Sequence, residues 1–412
     1  MTEEQIKNRE LSLDIIIPQY EETEEIISPL LDSIEMQASI SFKGIKVIIV
    51  NDHSDTLLSD EFLKSYKNLT IDYIQTTENK GPGQARQLGI DHSNAEYVMF
   101  ADADDRFFGC NIFKEIYDLL VKNKDKLIDI IYTRWIEELK RGDTVHHIPH
   151  DNQDMTWLHG KVFRRQFLLD RNLRFNDKIK VHEDSYFNTI TQMNADITAM
   201  IDIYSYFWCY NVDSLTRSVK YKYNYLVETA DDLVTSITDT VDALEQRKTA
   251  KRDEYFIKGV LFMFFLDQAP YWNDTLAEDE ELQLRRRRYE YGIFKLIATH
   301  KDYLENLPRK DFLRYYNEER AQCLINTGFE SEYETWNQYI DRLAKTFNTP
   351  QYLNNCTNCK HFKDNKCSLP NPVECTTTID QQYGWYKTPT KWELKIEEPE
   401  VKEKKTTKKK QA

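Results

Sequence analysis

The stretch "YVMFADADDRFF", residues 97–108, begins as a buried strand and ends in acid. Tyr97, Val98, Met99, Phe100 and Ala101 make an apolar run of the kind a parallel sheet buries on both faces. Asp102, Asp104 and Asp105 follow at once. Carboxylates this close together repel one another and resist burial. The end of this strand is therefore where a positive partner is expected.

The same pairing of buried strand and polar end runs through the first half of the chain. "LDIIIP" at 13–18 is a β-branched run that Pro18 ends. Ile26, Ile27, Leu30, Leu31 and Ile34 then recur at helical spacing over 23–37. "IKVIIVND" at 45–52 and "IDYIQT" at 71–76 read as further strands. "NKGPGQARQLGIDHS" at 79–93 reads as a glycine turn entering a helix. Strands alternating with helices predict an α/β layer with a mainly parallel sheet. Ligands of such sheets sit at the carboxyl ends of the strands, where Asp52 and the 102–105 cluster fall.

Beyond about residue 155 the pattern is mixed and ends in the strand-like "TAMIDIYSYFWCY", 198–210. From 221 to 345 it becomes helical, with Leu226, Leu233, Ile237, Val241 and Leu244 recurring every three to four residues. The expected organisation is an α/β catalytic domain over 1–220, a helical domain over 221–349, a cysteine-rich module over 350–392 and a disordered charged tail over 393–412. No internal repeat is visible.

Composition removes several function classes. The chain of 412 residues carries 55 Lys and Arg against 69 Asp and Glu, a formal net charge of −14. An acidic chain is a poor general nucleic-acid binder, because neutralising phosphates needs a basic face. With 25 Tyr and 20 Phe it is globular in composition. No apolar run is long enough to span a bilayer, and "GVLFMFFL" at 259–266 suits a buried helix. The charged start lacks the apolar core of a signal peptide. A cytoplasmic location is expected. The tail "KEKKTTKKKQA" and "LRRRRYEYG", 284–292, are weak candidates for an anionic surface; a solubilising tail and an exposed helix face are the blander readings.

Two carboxylates one residue apart at a strand end suit a hard cation. Mg²⁺ and Mn²⁺ take one or two protein carboxylates and complete their shell with water and substrate phosphates. The cluster thus predicts a metal whose other ligand is a diphosphate, against the alternative of a solvated acidic turn. A calcium loop is disfavoured, since Arg106 and Phe107 stand where further oxygen ligands and a glycine would be needed.

The ordered set of segments around this cluster resembles glycosyltransferase family 2, with its GT-A nucleotide-sugar fold, over about residues 12–220. "LDIIIPQYEETEEIISPLLDSI", "VIIVNDHSD", "NKGPGQARQLGI", "YVMFADADD", "HGKVFRRQFLLDRNLRF", "HEDSYF" and "SLTRS" stand in the family's order. Asn51 and His53 depart from the common Asp and Gly, and the usual proline after the acidic cluster is absent. The resemblance implies a divalent Mn²⁺ or Mg²⁺ held through Asp102 and Asp104 on a nucleoside diphosphate, with Asp105 supporting the turn. It implies a UDP-sugar donor bound by Pro18, Tyr20, Asp52, Arg86, Asp102, Lys161 and Arg217. It implies an inverting transfer with Asp184 as the base and Glu183 as its neighbour or substitute. Those two carboxylates also suit the N-terminus of the helix that follows. His159 and His182 are pocket-lining or catalytic. The acceptor is a hydroxyl of a glycan, a polyol-phosphate polymer, a protein or another molecule, and an oligomer is open. The rival readings are a non-catalytic binding module of the same fold and a transferase acting on modified nucleic acid.

Seven cysteines complete the picture. Cys110, Cys209 and Cys323 are scattered and are read as buried or inert. Cys356, Cys359, Cys367 and Cys375 crowd together, and in a reducing compartment four thiolates favour a structural Zn²⁺ over disulfides.

Overall fold

Strand β1, Leu13–Gln19, is an interior strand of the sheet and is buried along its length except at Pro18. It pairs in parallel with β2, Ile45–Asn51, and β4, Tyr97–Phe100, and β2 pairs in parallel with β3, Thr70–Gln75. Proline has no N–H for a ladder. The carbonyl of Ile16 points to the β4 side and that of Gln19 to the β2 side. Two residues on from Ile16, the missing N–H of Pro18 thus faces a side that β4 no longer occupies. The computed structural model describes residues 11–151, 154–211, 228–245, 250–269, 279–327 and 334–347, with four two-residue strands between 362 and 386.

The sheet is mixed rather than mainly parallel. Its nine strands include β5, Arg106–Phe107, β6, Ile130–Arg141, β7, Thr144–His150, β8, Lys161–Arg164, and β9, Thr198–Trp208. Their order is β3-β2-β1-β4-β8-β6-β9-β5, with β7 paired to β6. β8 runs antiparallel to both β4 and β6, and β5 antiparallel to β9. The β6–β7 hairpin turns at Gly142, whose φ of 60° suits glycine.

Helices cover both faces. On one face Ile15 and Ile17 meet Ile27, Leu30, Leu31 and Ile34 of α1, Glu24–Glu35; a short α2, Asp60–Ser65, follows β2. Ile26, counted with that stripe, is 42% exposed. On the other face Ile16, Val98 and Phe100 meet Ala85 and Ile90 of α3, Pro82–His92. After α4, Ile112–Lys122, and α5, Arg165–Asp170, comes α6, Glu183–Asn194, which adds Phe187 and Ile190 to this second core. Each such side chain, fully buried, contributes about 1.5–3 kcal/mol. A Cβ on Gly89 would lie 2.3 Å from Ile16, so α3 sits closer to the sheet than any larger residue allows.

The chain divides into two compact units, Met1–Arg252 and Asp253–Ala412. The first extends past residue 220 because α7, Ala230–Glu245, packs on α6. The second unit takes in most of α8, Ala250–Asp267, then α9, Glu280–Thr299, α10, Lys301–Glu305, α11, Arg309–Thr327, and α12, Trp336–Phe347. The 259–266 run lies in α8 with Val260, Leu261, Met263, Phe264, Phe265 and Leu266 buried. The arginine run is only partly a solvent face. Arg286 Nε lies 3.0 Å from Asp267, a fully buried carboxylate that Arg342 also approaches. Among the described residues no helix is long and apolar enough to cross a membrane. Cys110 is exposed rather than buried; Cys209 is half-buried and Cys323 buried, all three as free thiols. Cys356, Cys359 and Cys375 lie outside the described residues. Cys367, in a two-residue strand, is described by its backbone alone.

Candidate active site

Strand β4 stops at Phe100, and the acidic cluster forms the turn beyond it. The N–H of Asp105 donates to the carbonyl of Asp102 at 3.1 Å. Asp105 is buried and serves the turn: it accepts the Tyr206 hydroxyl at 2.6 Å and the Cys209 N–H at 2.8 Å. The same Tyr206 oxygen accepts the N–H of Asp102 at 2.9 Å. One tyrosine of β9 thus ties the turn at two points. Burial, with Asp102 and Asp104 beside it, pushes the Asp105 carboxyl well above its ordinary value.

Arg86 of α3 organises the remainder. Its guanidinium reaches Asp102 at 2.6 Å and Glu183 at 2.7 Å, and both Arg86 and Glu183 are buried. The residues come from the end of β4, the middle of α3 and the first turn of α6. Burial alone would raise the Asp102 carboxyl, but Arg86 outweighs it and holds the group below its usual range. Glu183 is raised, by burial first, with Arg86 opposing. Its neighbour Asp184 is pushed up to about 8, by burial and then by the charge of Glu183.

The glycines ahead of Arg86 make room for this pair. A Cβ on Gly83 would fall 2.7 Å from Glu183 Cγ, and one on Gly81, at φ 87°, would meet Lys180. The close approach that the glycine turn permits is thus to the α6 segment. Gly83→Ala should displace Glu183 from Arg86, costing about 1–3 kcal/mol. Thermal unfolding of the purified variant checks this, and unchanged stability would count against the packing.

Asp52, at the end of β2, accepts Thr76 Oγ1 and the Lys80 N–H at 3.1 Å each and the Gly81 N–H at 2.7 Å. It pins the turn that starts α3. Pro18 is half-buried and Tyr20 is 45% exposed at the same strand ends. Asp104 accepts Asn211 Nδ2 at 2.8 Å. Lys161, expected on the donor, is fully buried instead. Its ammonium is engaged by the carbonyl of Trp157 and lies 3.5 Å from Asp154. Burial lowers its pKa. Arg217 lies outside the described residues.

His159 stacks on Tyr206, ring centroids 4.6 Å apart, and burial holds it down to about 4, so it is neutral. Its Nε2 is buried without a hydrogen-bond partner. Asp102, Asp105 and His159 each bring one ligand-type atom within 4.8 Å of the others. His182 is half-buried, and its Nε2 meets Thr229 Oγ1 at 2.9 Å. Sequence reasoning missed Glu22, which burial, Asp104 and Asp102 help push up to about 7. Its place just past β1 was the available signal.

Six carboxylates, Glu22, Asp102, Asp104, Asp105, Glu183 and Asp184, thus gather where one guanidinium joins two of them. Such a site attracts a cation.

Residues 14–191 match the family model described as Glycosyl transferase family 2. The poly(ribitol-phosphate) beta-glucosyltransferase of Bacillus spizizenii is 26% identical over 224 residues, covering 51% of this chain and 34% of that protein. Glycosyltransferase GlyA of Streptococcus pneumoniae is 23% identical over 365 residues, covering 82% of this chain and 50% of that protein. The chain therefore spans between a third and a half of these curated relatives. Among solved structures, Staphylococcus aureus TarS 1–349 in complex with UDP-GlcNAc superposes with a TM-score of 0.57 at 17% identity, over 79% of this chain and 94% of that one. The fold is shared and is of the GT-A type. The domain spanning residues 14–191 belongs to glycosyl transferase family 2.

Proposed function

We propose that the chain transfers a sugar from a UDP-linked donor to a hydroxyl of a polyol-phosphate polymer or related glycan, with inversion and with a divalent cation at the donor. The observation that carries the reading is the Asp102–Arg86–Glu183 bridge. It links the strand-end carboxylates to a helix start that carries the raised carboxyl of Asp184. The family resemblance supports the UDP donor, and the poly(ribitol-phosphate) relative supports the acceptor.

In this scheme Asp184 takes the proton of the acceptor hydroxyl. The acceptor oxygen forms its bond to the anomeric carbon as the bond from that carbon to the diphosphate oxygen breaks. The electron pair leaves on the diphosphate. A divalent cation, when bound, offsets that charge. The oxygen donors fit Mg²⁺ or Mn²⁺. Asp104 suits the ion better than Asp105, both of whose oxygens already accept hydrogen bonds.

Diphosphate release from a panel of nucleotide sugars, with Mn²⁺ or with EDTA, tests the reading. Asp104→Asn should weaken Mn²⁺ and UDP binding by more than the roughly 10–100-fold that loss of an outer-shell partner costs. UDP binding unchanged in EDTA and in the variant would remove the metal from the proposal.

A further inference from the structure

Residues 176–182 lead into α6 and decide where Glu183 and Asp184 stand. On one side this loop rests on the turn before α3. Lys180 packs where a Gly81 Cβ would be and donates to Asn79 Oδ1 at 3.2 Å. On the other side lies α7, beyond residue 191, where the family match ends.

Thr229, Asp232, Ser236 and Asp239 recur at three- and four-residue spacing, so they share one helix face. All four meet the loop. Asp232 Oδ2 accepts the backbone N–H of Lys180 at 3.1 Å and of Val181 at 3.0 Å. Thr229 Oγ1 lies 2.9 Å from His182 Nε2, and Ser236 Oγ donates to the His182 carbonyl at 3.3 Å. Asp239 Oδ2 accepts from Asn176 Nδ2 and Lys178 Nζ, both at 2.8 Å.

The loop needs such support. His182 holds φ 65° and ψ 15°, the left-handed region, directly before Glu183. A residue with a Cβ adopts that conformation only where its surroundings over-determine it. A carboxylate that accepts two adjacent N–H groups makes charge-assisted bonds, which here fix the 179–180 and 180–181 peptides just ahead of His182.

We infer that this polar face of α7 is a brace for the catalytic loop, with Asp232 its principal positioning residue: it sets where Asp184 meets the acceptor without touching either substrate. The kinetic part of this inference rests on the transferase reading above.

The test compares full-length Asp232→Ala and Asp232→Asn with the wild-type chain. Asp232→Ala should lower kcat by on the order of 10²-fold, the scale set by about 1 Å of misplacement. KM for the donor and UDP affinity should stay at wild-type values. Asp232→Asn keeps an acceptor oxygen and should recover most of the rate. Hydrogen exchange at the amides of residues 180–184 should quicken in Asp232→Ala and return toward wild type in Asp232→Asn. If Asp232→Ala does not fold, Ser236→Ala, which removes only the donor to the His182 carbonyl, should show a smaller kcat loss at constant KM, with faster exchange at residues 180–184. Wild-type exchange and wild-type kcat in these variants would overturn the brace, as would a loss of UDP affinity in proportion to rate. A wild-type chain that transfers no sugar would defeat the functional reading, while the exchange measurement would still decide the brace.

Discussion

Asp184→Asn is expected to lower sugar transfer by roughly 10²–10⁴-fold, the usual worth of a general base, and to leave UDP-sugar binding nearly unchanged. The split follows from position. Asp184 stands at the start of α6, where its Oδ1 accepts the N–H and the hydroxyl of Ser185. Arg86 bridges Asp102 and Glu183, and Asp184 takes part in neither ion pair. Its pKa gives a second signature. Burial and Glu183 raise the group to about 8, so at neutral pH the free protein holds it largely protonated. A base works deprotonated, so kcat/KM should rise with pH through about 8 and level off above it. Glu183→Gln removes one repelling charge and should move that rise to lower pH. If Glu183→Gln abolishes transfer while Asp184→Asn does not, the base is Glu183. A profile flat across this range in the wild type would show that neither carboxyl controls the rate.

The parts of this site that were legible in the sequence are those with local patterns. β1 and β2 are rich in β-branched residues and β4 is a continuous apolar run, and each ends where polar residues begin. Periodicity therefore locates β1, β2, β3 and β4, and with them Asp52 and Asp102. The β6–β7 hairpin escaped because only the start of β6 is apolar. From Glu137 onward four of its five residues are charged, and Glu137 and Glu138 are half-buried against His150 and His147 of β7, so the apolar alternation of a half-buried strand is lost. That hairpin and β8 make the sheet mixed. The union of Arg86 with Glu183 spans 97 positions and has no local signature, although both residues stood among the candidates. Lys161 shows the converse. The family resemblance marks Lys161 as a donor ligand, and only the fold shows its ammonium against the 154–157 turn. The brace on α7 was written in the sequence as Thr229, Asp232, Ser236 and Asp239. Reading it required knowing what that helix face meets.

Arg86→Met should be the most damaging single change in the first unit. The substitution keeps much of the length of the side chain and removes the charge. Asp102 and Glu183 then face each other's surroundings without a cation. Losing one partner of a buried ion pair costs about 3–5 kcal/mol, because the charge left behind is stranded. Glu183, 8% exposed, carries most of that penalty, whereas Asp102, 34% exposed, is partly rescued by water. Arg86→Lys should recover little, since an ammonium lacks the planar fork that meets two carboxylates at once. Both variants should lose transfer and unfold at lower temperature. The added substitution Glu183→Gln separates the two effects: neutralising the stranded carboxylate should restore part of the stability of Arg86→Met and none of its transfer. The checks are thermal unfolding of the full chain and the diphosphate-release assay. Wild-type stability in Arg86→Met would mean that water or another cation already satisfies Glu183, and the bridge from strand end to catalytic helix would then be geometry without energetic weight.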